Sequence, residues 1–183
     1  MSKKGPITND YALAWLRISL GLLFLIFAQY KLWGPGFIHG GYAASIRQFL
    51  LRGAYPFMVP ILGRLALPHA TVMAYVVAYG ELCIGLSLLF GILTAEASFF
   101  GFIYMLTILF SSTYPGPHAP FWQYFASAMN PLMPALCFVA FGMGDSTRVW
   151  SVPSYLRRKF QRIPQPTIEG GGSSVSASNV FGK

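Results

Sequence analysis

Few side chains in this sequence can take up a proton or hold a ligand, and the notable ones lie inside long apolar runs. The stretch VAYGELCIGLSLLFGILT (77–94) carries Glu81, one of only five acidic residues. In the first apolar run Arg17, Gly21, Phe24, Ala28 and Lys31 recur at a/d-like spacing, so two cations and two small residues share one helical face. Gln29 and Tyr30 flank the far end of that stripe. Ala74, Ala78, Gly85 and Leu88 share the face of Glu81, which again surrounds a charge with small residues. The last apolar run contains Asn130, followed by Pro131 and Pro134, which free helix carbonyls near Ser127 and Asn130. Ionisable groups at membrane depth face protein or water, and by default they mark proton or ligand sites.

Glu81 supports two readings. It either staples the bundle, bonded to Arg17, a tyrosine or Asn130, or it handles protons or a ligand in a cavity. At about 1.5 Å per residue, Arg17 lies about 9 Å and Glu81 about 18 Å from the same membrane face, a gap an arginine could nearly bridge. Glu96 and Asp145 compete for Arg17, Lys31 lies nearer the opposite surface, and Asn130 has a depth similar to Glu81. The two prolines are either packing kinks or the opening of a pocket. Cys83 and Cys137 read as small apolar residues rather than a disulfide. With no CxxC or CxxCH and with His39, His69 and His118 isolated, no metal site, thiol redox pair or covalent haem is expected.

The elements that must position these groups are four helices long enough to cross about 30 Å of hydrocarbon, at about 11–33, 70–93, 95–112 and 121–144. The first opens on Thr8-Asn9-Asp10, a capping-type sequence, and is read as a retained spanning helix rather than a cleaved signal. The second and third are almost without a loop, which predicts a tight antiparallel hairpin. Between the first two, Ile46, Phe49, Leu50 and Gly53 share a face that excludes Arg47 and Arg52, so a short interfacial helix is expected there, followed by an irregular, re-entrant-type segment. A fifth spanning helix is rejected, because it would hold two prolines and an arginine in its middle. The fold class is therefore an all-α integral membrane four-helix bundle. The membrane domain covers 1–162, and a Gly/Ser-rich tail covers 163–183.

Composition agrees: the 183 residues are 55% hydrophobic and only 10% charged, against about 25% charged in a soluble domain. The net charge of +8 does not indicate nucleic acid, since the cations cluster at the ends of apolar runs. Arg157, Arg158, Lys159 and Arg162 form the densest group, suited to anionic lipid or a partner. Eight Lys and Arg residues lie on the side of the termini and three in the first connection, which places both termini in the cytoplasm. The tail has nothing of its own to bury and is assigned to contact with another membrane subunit.

The sequence resembles the DoxX family of small four-helix membrane proteins over about residues 11–155. The resemblance rests on LRISLGLLFLIFAQYKLWG, on GELCIGLSLLFGILT and on FGMGDSTRVW. It implies a bacterial or archaeal plasma-membrane protein; family members include a subunit of a thiosulfate:quinone oxidoreductase. Arg17, Lys31, Glu81 and Asp145 match the family pattern, without an implied catalytic role. The long first connection and the tail depart from it. Three functions follow as expectations. The first is a subunit of a larger oxidoreductase or energy-transducing complex, carrying no bound electron carrier and contacting quinone or lipid. The second is a proton- or cation-coupled transporter using Glu81. The third is a purely structural assembly subunit.

Overall fold

The structure, a computed structural model, describes residues 8–34, 36–144, 150–153 and 155. Its elements are α1 (Thr8–Trp33), α2 (Tyr42–Arg52), α3 (Met58–Ile61), α4 (Ala70–Phe90), α5 (Thr94–Ser112) and α6 (Phe121–Met143). Among the described residues there is no strand, and α1, α4, α5 and α6 are long and apolar enough to cross a membrane. Asp145, Arg148, Arg157, Arg158, Lys159, Arg162 and the tail lie outside the described residues.

Two helix boundaries shift for physical reasons. Helix α1 includes Thr8, Asn9 and Asp10, ahead of the start expected at 11; Asp10 sits in the first turn, where its charge complements the helix dipole. Helix α4 stops at Phe90 rather than near 93, because Gly91 takes φ +67° and closes the helix in the left-handed conformation. The turn Gly91–Leu93 then leads directly into α5.

In hydrocarbon, close packing and small residues hold helices together. The inward stripe of α1 (Ala14, Arg17, Leu20, Gly21, Phe24, Ala28) meets Ala74, Ala78, Glu81, Gly85 and Leu88 of α4. At the crossing, a Cβ on Gly21 would lie 3.0 Å from the Leu89 nitrogen and 3.1 Å from the Gly85 oxygen, so only glycine permits this backbone approach. Helices α5 and α6 form the second close pair, with the Phe138 ring seated on Gly101. Contact between α4 and α5 is sparser, and between α1 and α6 sparser still. The expected tight hairpin is therefore tight in its turn alone: α4 closes on α1 and α5 on α6, which leaves gaps between the pairs.

In the half where α1 begins, those gaps are filled by Leu20, Phe24, Leu88, Phe138 and Phe141, with Phe24 and Phe138 edge to face at 5.4 Å. The first connection is a kinked turn (Phe37–Gly41) whose His39 and Gly40 leave helical geometry, then α2, α3 and a wide helical turn (Leu62–Ala66). Ile46 of α2 packs with Met58, Leu62 and Ala66, with Phe49 and Leu50 against them, while Arg47 is exposed. This is the amphipathic interfacial arrangement read from the sequence.

Candidate functional site

The register set by Gly21 decides which cation meets Glu81. Facing Gly21 to Gly85 and Leu89 in antiparallel helices puts Lys31 about five residues, or about 7 Å, beyond Glu81 along the bundle. Helical side chains lean toward the N-terminus of their own helix. Lys31 and Glu81 thus lean toward each other, and the Lys31 Nζ forms an ion pair with Glu81 Oε1. The Tyr104 hydroxyl of α5 donates to the same Oε1, and Lys31 donates to the Tyr104 oxygen at 3.1 Å. The ammonium also lies 5.2 Å from the Phe37 ring centroid.

The same register takes Arg17 away. It lies about nine residues, about 13 Å, from the level of Glu81, and the two side chains lean in opposite directions. The expected Arg17–Glu81 bridge is corrected: Arg17 is fully buried, and its Nη2 donates to the Trp150 carbonyl at 2.7 Å. Its guanidinium lies against Gly91, where a Cβ would collide with it. Glu96, its other expected partner within the described residues, is exposed and lines the α4–α5 groove. Trp150 in turn packs edge to face with Tyr11 and Trp15, both at 5.5 Å, which ties the segment after α6 onto α1.

Three hollows converge on the triad. A cavity of about 510 Å³ lies in the α1/α6 gap, in the half toward which α1 ends; Lys31, Glu81, Tyr104, Ser127 and Asn130 line it. Pro131 and Pro134 also line it, so the α6 prolines flank a pocket rather than only packing. A groove of about 350 Å³ separates α4 from α5 and reaches Glu81 and Tyr104 past Cys83, Ser87 and Phe100. A third hollow, about 260 Å³, lies beneath α2 and ends on Lys31 and Tyr104. Glu81 is 4% exposed, and its second oxygen, Oε2, has no hydrogen-bond partner among the described residues.

Of the candidates read from sequence, Lys31, Glu81 and Asn130 line one cavity, although Asn130 is exposed at the bundle surface rather than buried and makes no bond to Glu81. Gln29, expected among the buried polar groups, is exposed on α1. Tyr104 was missed as an individual residue. The available signal was that it is the one tyrosine within Thr94–Ser112, three residues after the small Gly101. Cys83 and Cys137 are free, and among the described residues no three His, Cys, Asp or Glu side chains cluster to hold a metal.

Chemically, the triad combines a carboxylate with a free oxygen, a phenol and an ammonium at the base of a pocket flanked by hydrocarbon. Buried polar groups are normally satisfied, so the free Oε2 is a place for a donor from a ligand or water. The Lys31 ammonium and the Asn130 amide supply donors to a carbonyl oxygen.

Fold and site together define a small multi-pass integral membrane protein with the Lys31–Glu81–Tyr104 cluster inside its bundle. The DoxX family model matches residues 12–113, more than half of the chain, and the protein belongs to the DoxX family. That match takes in α1 to α5 and stops before α6, a narrower span than the 11–155 drawn from sequence. None of the curated proteins or solved structures compared with the chain matches it.

Proposed function

We propose that this protein is a membrane subunit of a larger oxidoreductase assembly and binds the head group of a membrane-soluble quinone or quinol. The observation that carries this reading is the Lys31–Glu81–Tyr104 cluster lining a cavity of about 510 Å³ in the α1/α6 gap, with Glu81 Oε2 unpaired among the described residues. That volume lies within the range of about 300–1,000 Å³ usual for small-molecule sites. A quinone carbonyl finds donors in Lys31 and Asn130, and a quinol hydroxyl finds an acceptor in Glu81 Oε2. The chain supplies binding and a proton acceptor, and electrons pass to or from partner subunits.

The proposed setting is a bacterial or archaeal plasma membrane with both termini cytoplasmic, in line with the eight-to-three distribution of Lys and Arg. Arg157, Arg158, Lys159 and Arg162 then meet anionic lipid, and the tail meets a partner subunit. A second reading, proton- or cation-coupled transport through Glu81, draws on one specific observation: Glu81 lines two separate hollows, the α1/α6 cavity and the α4/α5 groove.

The test is extraction of the protein in mild detergent, followed by chromatography of bound quinone per mole of protein. The wild type is expected to retain quinone, with retention reduced at least about tenfold in Glu81→Ala and Tyr104→Phe variants that remain folded. Quinone absent from the wild type, or retained equally by all three, refutes the reading.

A further inference from the structure

The hollow beneath α2 has a composition the quinone site does not explain. Along α5, Tyr104, Thr107 and Ser111 place three hydroxyls on its wall over about 10 Å. Ser45 and Tyr42 face them from α2. Thr107 and Ser45 each donate their one proton to a carbonyl of their own helical turn, to Ile103 and Gly41 at 2.9 Å, which leaves their lone pairs available to a donor. Burial pushes the Tyr42 phenol above its ordinary range, so it stays a neutral hydroxyl. Ser111 is 3% exposed, and its Oγ has no partner among the described residues. An orphaned hydroxyl beside a hollow whose largely apolar wall carries four further hydroxyls and an ammonium is a setting in which proteins hold ordered water.

The hollow has a neighbour. A further cavity, about 350 Å³, lies at the end of α1 between Tyr30, Gly34, Gly36 and Gly41, and it shares Phe37 and Ser45 with the hollow. The kinked turn Phe37–Gly41 supplies Phe37, which lines both cavities and lies against the Lys31 ammonium. At about 30 Å³ per water, the 260 Å³ beneath α2 has room for several molecules in a row.

We infer that these two cavities form a water-filled half-channel, running from the membrane surface where α1 ends, past Phe37 and Ser45, to Lys31 and Tyr104. It gives the Lys31–Glu81–Tyr104 cluster aqueous contact through Lys31 and Tyr104. A proton taken up by Glu81 passes to Tyr104 or Lys31 as that group releases its own proton to the nearest water, so each group ends as it began. The inference stands on the cavity walls and is independent of what occupies the α1/α6 cavity.

Substituted-cysteine accessibility tests it on the full chain in lipid nanodiscs, with Cys83→Ala and Cys137→Ala removing the native thiols. Ser45→Cys, Thr107→Cys and Ser111→Cys are each treated with the charged, water-soluble 2-sulfonatoethyl methanethiosulfonate and, separately, with N-ethylmaleimide. The half-channel requires all three to react with the charged reagent, the Ser111→Cys variant at a rate at least about tenfold above that of an outward-facing control on α1 that lines none of these cavities, Ile26→Cys. Reaction of Thr107→Cys and Ser111→Cys with the maleimide alone, or with neither reagent, overturns it. Quinone retention does not enter this readout, so the half-channel and the quinone site succeed or fail separately.

Discussion

Lys31 and Glu81 are a pair whose energetic coupling can be measured with a double-mutant cycle, using Lys31→Met, Glu81→Gln and the double variant. Glu81 Oε1 accepts both from Lys31 and from Tyr104, so Lys31→Met leaves a buried carboxylate with one donor. Removing one member of a buried ion pair costs about 3–5 kcal/mol in soluble proteins. Interhelical polar contacts in membranes are weaker, averaging about 0.6 and reaching about 1.7 kcal/mol, because the unfolded state in lipid also finds partners. Two features place this pair between those limits. Its acid is 4% exposed and formally charged, which raises the coupling, while Lys31 is 18% exposed, which lowers it. The expected coupling is about 2 kcal/mol, a factor of about 30 in the folding equilibrium. Reversible unfolding of all four proteins in bicelles measures it, with helix content as a control for misfolding. Each single variant is expected to lose more stability than it adds to the other. Additivity within about 0.5 kcal/mol refutes the argument, because it shows that the pair is not energetically coupled.

The α1–α4 crossing predicts that Gly21→Leu breaks the bundle: backbone atoms stand 3.0–3.1 Å from its Cβ and cannot move aside as a flexible side chain would. Gly80→Ala, on the same helix pair, has nothing within 4 Å and is expected to be neutral, so equal melting temperatures for the two variants would exclude this packing account. Gly91→Ala combines a left-handed φ of +67° with the space taken by the Arg17 guanidinium. It is expected to cost at least about 1–2 kcal/mol and to speed hydrogen exchange in the segment around Trp150, and unchanged exchange there would remove Arg17 as its tether.

The sequence by itself determined the four helices and the faces they turn inward. Hydrocarbon permits few alternatives to a helix for an apolar run of this length, and small residues with charges at helical spacing mark a protein-facing stripe wherever they occur. It also located Glu81 and Lys31 as inward-facing groups and α2 as an amphipathic interfacial helix. Their pairing was not legible, because it depends on the register between α1 and α4 and on the opposite lean of antiparallel side chains. A depth count along each helix brings Arg17 toward Glu81, whereas the Gly21–Gly85 contact brings Lys31. Tyr104 stayed hidden for a related reason: a lone tyrosine on a membrane helix has no sequence neighbour to announce its partner, and only the packing of α5 turns it toward α4. The cavities belong to the tertiary structure alone, since they are the space left when α1 closes on α4 and α5 on α6 without the two pairs closing fully on each other.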